Sequence, residues 1–94
     1  MLIIANPGIF SPGRLVATPN ALNAIPFSEI TAAFNRHLNC DWGDVCQEDR
    51  QENDRALKSG DRLLSVYHSQ QGEKFWIITE ADRSVTTVLL PEDY

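Results

Sequence analysis

The stretch from Asp41 to Arg55, DWGDVCQEDRQENDR, holds the side chains best suited to chemistry or recognition. It contains six of the thirteen acidic residues of the 94-residue chain, and a Trp-Gly pair lies near its start. Clustered carboxylates bind basic surfaces, or act in acid–base catalysis when a suitable partner lies beside them. A tryptophan next to a glycine either anchors a loop on the core or is exposed for recognition. A functional site is therefore expected here first.

Two polar side chains of this stretch are predicted to point inward. Asp49 and Asn53 lie on the helical stripe that joins Val45 to Ala56. A buried carboxylate or amide is costly unless it is hydrogen-bonded or paired. The structural interpretation is that both side chains bind backbone amides of the loop at 40–44, or pair with an arginine. The candidate arginines are Arg62 and Arg83.

Two functional interpretations compete with this structural one. The first is a docking surface for a protein partner with a basic surface, made by Trp42, Asp44, Glu48, Asp49, Glu52 and Asp54. The second is a polar pocket of a small nuclease or hydrolase, made by Asp44, Asp49, Asn53 and Arg83. Arg83 within hydrogen-bond reach of Asp49 in an open cleft would favour the pocket.

Other reactive residues give no recognisable signature. The spacing of His37, Cys40 and Cys46 is not a standard zinc pattern, and no fourth ligand is evident. Near the strand ends lie further charged groups, which are ordinary hairpin charges or, less simply, a nuclease set: His68, Lys74, Glu80 and Arg83. No catalytic residue, metal or cofactor is predicted.

Charge and composition narrow the class of protein. The net charge is −5, which disfavours direct nucleic-acid binding because such binding depends on Lys and Arg at phosphates. The apolar start, Met1–Ala5, is too short for a signal peptide, and no run approaches the ~20 apolar residues of a membrane span. Two cysteines do not make a disulfide scaffold. A cytoplasmic protein is expected.

The elements that must position these residues follow from periodicity and turn signals. We predict a single α+β domain over 1–94, with an irregular segment at 1–12, a short strand, three helices and then a three-stranded antiparallel meander with the helices on one face. Thr18 and Ser28 are predicted to cap the first two helices, and Asp44 the third. The predicted strands are 14–18, 62–68, 74–79 and 84–90, and the predicted helices are 19–25, 29–39 and 44–59.

Both faces of the predicted strands carry apolar side chains, but three short helices cover only one face. The other face is either partly covered by the N-terminal segment or used to form a homodimer.

Two motifs stand out from the rest of the sequence, Trp42-Gly43-Asp44 and Thr79–Ser84, TEADRS. With the surrounding residues 13–94, they resemble a family of small bacterial proteins labelled plasmid-related or hypothetical, which travel on mobile elements. No activity or catalytic residue comes with this resemblance. It implies a context in which accessory proteins modulate host defence or the maintenance of the element.

The expected function is therefore a non-enzymatic interaction module, such as an inhibitor of a host defence complex of the antirestriction or anti-CRISPR type. As a helix, residues 41–54 rise about 20 Å, a length over which duplex DNA carries about twelve charges. Six carboxylates, offset by Arg50 and Arg55, predict a patch for one basic groove and not a full mimic of DNA.

Overall fold

The computed structural model describes residues 9–94. Of the predicted irregular segment 1–12, residues 1–8 lie outside the described residues, and residues 9–12 form neither helix nor strand. The α+β class with three helices is confirmed. The elements are β1 Arg14–Ala17, α1 Pro19–Ala24, α2 Phe27–Leu38, α3 Gln47–Ser59, β2 Leu63–His68, β3 Lys74–Thr79 and β4 Val85–Leu89, followed by a 3₁₀ turn at Pro91–Asp93.

The sheet differs from the predicted three-stranded meander. It is four-stranded and mixed, with the order β1-β4-β3-β2. Strands β2, β3 and β4 pair antiparallel, as expected for strands joined by short loops, while β1 pairs parallel to β4 with Arg14 opposite Val85. Local periodicity does not reveal a pairing between segments so far apart in sequence. The N-terminal strand is therefore part of the sheet.

Two helix starts also differ from prediction. Helix α2 begins at Phe27 after Pro26, without a side-chain cap, so Ser28 lies inside the helix. Helix α3 begins at Gln47, because the Cys46 sulfur accepts the Asp49 amide at 3.4 Å. By contrast, the Thr18 cap of α1 is confirmed, since its hydroxyl accepts the amide of Ala21.

The core lies between the helices and one face of the sheet. Its main cluster joins α1 and α2, through residues such as Ala21, Ile30 and Phe34, to Phe75 and Ile77 of β3. A second cluster brings α3 and β2 together and contains Trp42, Ala56 and Leu63. Helix α3 is thus fixed at the β2 end of the sheet, and the acidic stretch is carried there.

Candidate functional site

The outer side of α3 is the acidic surface that the sequence indicates. Glu48, Asp49 and Glu52 are all exposed, and the Glu52 carboxylate pairs with Arg55 one turn later. Glu48 and Asp49 lie in the first turn, where the positive end of the helix dipole favours carboxylates. We call the three exposed carboxylates, Glu48, Asp49 and Glu52, the acidic face of α3.

Asn53 fixes this helix to the sheet. Its side-chain amide donates to the Leu64 carbonyl at 2.7 Å, and its side-chain oxygen accepts the Leu64 amide at 3.1 Å. The inward orientation of Asn53 is as predicted, since the residue is 5% exposed, but its partner is β2 and neither the 40–44 loop nor an arginine. The side chain thus takes the place that a neighbouring strand would occupy at this edge.

The inward orientation predicted for Asp49 is wrong. Asp49 is exposed, and among the buried positions of α3 are Asn53 and Ala56, which lie further along the helix. Because α3 begins only at Gln47, Asp49 belongs to the first turn and precedes the part of the helix that contacts β2. The residue therefore belongs to the acidic face and not to an inward pocket.

Trp42 is a core residue and not a docking contact. Its side chain is 1% exposed, which favours the loop-anchor interpretation and removes the indole from any partner surface. The ring stacks on Phe10 with centroids 6.4 Å apart, and meets His37 edge-on at 5.5 Å. Its Nε1 donates to the Asp54 carboxylate at 3.2 Å. Asp54, also predicted as a docking residue, is therefore partly occupied in holding Trp42.

Arg83 lies at the other end of α3 and binds carbonyl groups. Its guanidinium donates to the carbonyls of Ala56 at 2.9 Å, Asp61 at 2.7 Å and Glu80 at 3.1 Å. These contacts satisfy carbonyls at the end of α3 and in the two loops that flank β2 and β3. Arg83 therefore ties three segments together.

The predicted pocket is not assembled. Asn53 binds β2, Arg83 binds carbonyls, Asp49 is exposed, and Asp44 pairs with His68. Among the hydrogen bonds of residues 9–94, none joins any two of these four candidates. A catalytic arrangement of Asp44, Asp49, Asn53 and Arg83 has no geometric basis in this fold.

The loop before α3 forms a short strand-like contact with β2. The Val66 amide donates to the Trp42 carbonyl at 3.0 Å, and the Asp44 amide donates to the Val66 carbonyl at 2.7 Å. Gly43, at φ 76°, allows the close approach, because a Cβ there would lie 2.0 Å from the Val66 oxygen. This contact, together with Asn53, covers the outer edge of β2.

A shallow depression of about 230 Å³ adjoins this contact and contains a histidine–carboxylate pair. His68 Nε2 lies 3.0 Å from Asp44 Oδ2, and both side chains are exposed. Arg36 also lines the depression, but its guanidinium binds Asp41 in a bidentate pair and lies over the Tyr67 ring. The hydrogen bond with Arg36 is the main cause of the lowered pKa of Asp41.

The residues that the sequence analysis missed form a buried polar chain under α2. His37 Nδ1 lies 2.6 Å from the Ser65 hydroxyl, and Nε2 lies 2.9 Å from the Thr79 hydroxyl. The chain continues from Thr79 to Thr86 at 2.8 Å, and the Thr86 hydroxyl donates to the Pro12 carbonyl at 2.7 Å. The available signal was His37 on the apolar stripe of α2, with hydroxyl residues at inward strand positions.

Burial determines the charge state of His37. The residue is fully buried, and burial with the Arg83 charge lowers its pKa from 6.5 to about 3. The imidazole is therefore neutral at pH 7, and one ring nitrogen donates while the other accepts. Within residues 9–94, the ring bonds to hydroxyls and packs against aromatic rings, and neither cysteine sulfur is among its hydrogen-bond partners. His37 thus links α2 to β2 and β3 through two buried hydrogen bonds.

Comparisons with known proteins leave the family of the chain open. No protein-family model, no curated protein and no solved structure matches it. Within residues 9–94, the structure contains no helix whose length and apolar character would let it traverse a lipid bilayer. Across the same range, no group of three or more histidine, cysteine or acidic side chains is arranged to hold a metal ion.

Proposed function

We propose that this protein is a non-enzymatic protein-binding module whose acidic face of α3 docks on a basic surface of a partner. The observation that carries the proposal is that three exposed carboxylates are presented by a helix anchored along its inner side. Asn53 fixes the middle of α3 to β2, and Arg83 binds the Ala56 carbonyl in its last turn. A rigid presentation lowers the entropy cost of docking.

The chemistry of the acidic face favours a partner with a cationic groove. Asp44, which is exposed in the preceding loop, extends the acidic surface beyond Glu48 and Asp49. Complementary charge speeds encounter and sets the orientation of the complex. Arg50 and Arg55 offset part of the negative charge of the helix, so the surface fits one basic groove better than it imitates a complete duplex.

Enzymes that handle nucleic acid present basic grooves, because their substrate is a chain of phosphates. The resemblance to mobile-element proteins supports a partner in host defence, and we therefore propose an antirestriction or anti-CRISPR inhibitor that acts in the bacterial cytoplasm. The acidic face would occupy the groove that otherwise holds nucleic acid.

The test is phage plating on bacteria that carry a restriction system or a CRISPR system. Expression of the wild-type protein is expected to raise plating efficiency at least tenfold in one of these hosts. A Glu48→Lys/Glu52→Lys variant is expected to lose the effect, whereas Glu73→Lys/Glu92→Lys, with the same change in net charge at exposed sites outside α3, keeps it. Unchanged plating with the wild-type protein across such hosts would refute the defence role.

A second candidate function rests on the His68–Asp44 pair. A histidine hydrogen-bonded to a carboxylate is a common acid–base unit, and here the two side chains lie 3.0 Å apart. Both are exposed, so a substrate could reach them. This observation supports a small hydrolase that acts on a phosphodiester. Incubation with labelled single-stranded DNA, duplex DNA and RNA tests it: cleavage that His68→Ala abolishes supports the hydrolase, and the absence of cleavage refutes it.

A further inference from the structure

Within residues 9–94, the two edges of the sheet differ in whether their outward backbone groups have hydrogen-bond partners. At the β2 edge, the outward backbone groups of Leu64 bind Asn53, and those of Val66 bind the loop at 42–44. The opposite edge is β1, which among residues 9–94 pairs with β4 and with no other strand. An uncovered edge offers a row of donors and acceptors to another strand.

The register shows which groups of β1 face outward. The amides of Arg14 and Thr18 donate to carbonyls of Ser84 and Val88, both at 3.0 Å, so even-numbered residues of β1 face β4. Backbone groups alternate in direction along a strand, and those of Leu15 and Ala17 therefore point away from the sheet. Within residues 9–94, no hydrogen bond from outside the sheet reaches them. The open edge thus offers two amides and two carbonyls.

We propose that this edge pairs antiparallel with β1 of a second copy of the chain, with Val16 opposite Val16 on the two-fold axis. In this register Leu15 faces Ala17 of the second copy, and both residues exchange amide–carbonyl hydrogen bonds, giving about four in total. A register with Leu15 opposite Leu15 brings Ala17 against Gly13, whose φ of 66° is not that of a strand. A register with Ala17 opposite Ala17 brings Leu15 against Pro19, which has no amide hydrogen.

Charge complementarity supports the same register. The Val16–Val16 register places Arg14 opposite Thr18 of the second copy. The Thr18 hydroxyl donates to the Asp93 carboxylate at 2.7 Å. Asn20 also donates to Asp93 at 2.7 Å, which fixes that carboxylate beside the end of β1. Arg14 is exposed and has no carboxylate within salt-bridge distance among residues 9–94. Two symmetric Arg14–Asp93 pairs would therefore form across the axis.

The size of the contact predicts a weak dimer. Strand β1 has four residues, so the paired edge is about 13 Å long at ~3.3 Å per residue. Such a contact buries well below the roughly 1,200 Å² of a standard stable interface. The association is therefore concentration-dependent. It uses the edge opposite α3, so its failure would leave the docking proposal intact.

Sedimentation and amide exchange on the full-length protein test the proposal, over concentrations from about 10 µM to 1 mM. The dimer fraction is expected to rise with concentration, and the amides of Leu15 and Ala17 to become protected as it does. Ala17→Pro removes an outward amide and leaves the hydrogen bonds to β4, so this variant is expected to remain folded and monomeric.

A charge swap on the axis gives the matched test. Val16→Lys and Val16→Glu are each expected to be monomeric, because like charges then lie opposite each other, and their equimolar mixture is expected to form the dimer again. Thr87→Lys, next to Val16 on β4 but away from the axis, is expected to behave as wild type.

Three results would overturn the proposal. These are a monomer at every concentration, a dimer that survives Ala17→Pro and both Val16 variants, or protection of the Leu15 and Ala17 amides that does not depend on concentration. The second result would assign the dimer to a surface other than the β1 edge, and the third would show that the edge is covered within one chain.

Discussion

Acidification should destabilise this protein through His37, and the size of the effect follows from its burial. The pKa of His37 is lowered from 6.5 to about 3 in the folded state by burial, with a contribution from the Arg83 charge. In the unfolded chain the imidazole takes up a proton below pH 6.5, whereas in the folded protein it stays neutral until pH approaches 3. The contribution of His37 to folding stability is therefore fully present above pH 6.5. It is lost progressively as pH falls from 6.5 toward 3.

The magnitude can be worked out from the two pKa values. Each pH unit inside the window costs at most about 1.4 kcal/mol. Between pH 7.5 and pH 5, this amounts to about 2 kcal/mol, a large share of the roughly 5–15 kcal/mol that holds a small domain together. The remaining carboxylates add their own pH dependence, so the contribution of His37 must be obtained by difference.

Urea unfolding at half-unit steps from pH 7.5 to pH 4.5 provides the assay. His37→Gln retains one donor and one acceptor but does not titrate, so the wild type should lose about 2 kcal/mol more than this variant by pH 5. His68→Gln, which removes the exposed histidine, serves as the control for loss of an imidazole. Parallel stability curves for the wild type and His37→Gln would refute the buried, neutral imidazole.

The anchoring of α3 yields three further predictions. Asn53→Ala should lower the free energy of unfolding by about 2 kcal/mol in urea titration, because it leaves two backbone groups of β2 without a partner; Asp49→Ala, one turn earlier and exposed, should change it by less than about 0.5 kcal/mol. Gly43→Ala should cost about 3 kcal/mol by the same measurement, since a Cβ would meet a β2 carbonyl oxygen at 2.0 Å, while Gly72→Ala meets no atom and should cost only about 1 kcal/mol of backbone strain. Arg83→Ala should cost about 2 kcal/mol and speed amide exchange in the last turn of α3; unchanged exchange there would contradict its role as a C-terminal tie.

Local signals predicted much of the secondary structure. Thr18-Pro19 marks the start of α1, and Gly60, at φ 82°, ends α3 as expected. The strands of the meander follow from their β-branched and aromatic residues, with β3 found at the predicted bounds. These features depend on neighbours within a few residues, and periodicity reports them well.

The site was harder to predict because its geometry depends on distant pairings. The sequence predicts Asp44 as a helix cap, but its amide donates to the Val66 carbonyl. Residue 44 is therefore held against β2, and α3 begins at Gln47. The same contact brings Trp42 into the core. The partners of His37 come from β2 and β3, the chain reaches β4 only through Thr79, and no local pattern joins these residues.

Affinity capture with matched baits tests the docking face most directly. Wild-type protein and the Glu73→Lys/Glu92→Lys variant should retain the same partner from an extract of the defended bacterial host, and retention should fall as salt is raised. The Glu48→Lys/Glu52→Lys variant should fold normally and lose that partner. Equal retention by all three baits would show that the carboxylates of α3 are not the surface through which this protein acts.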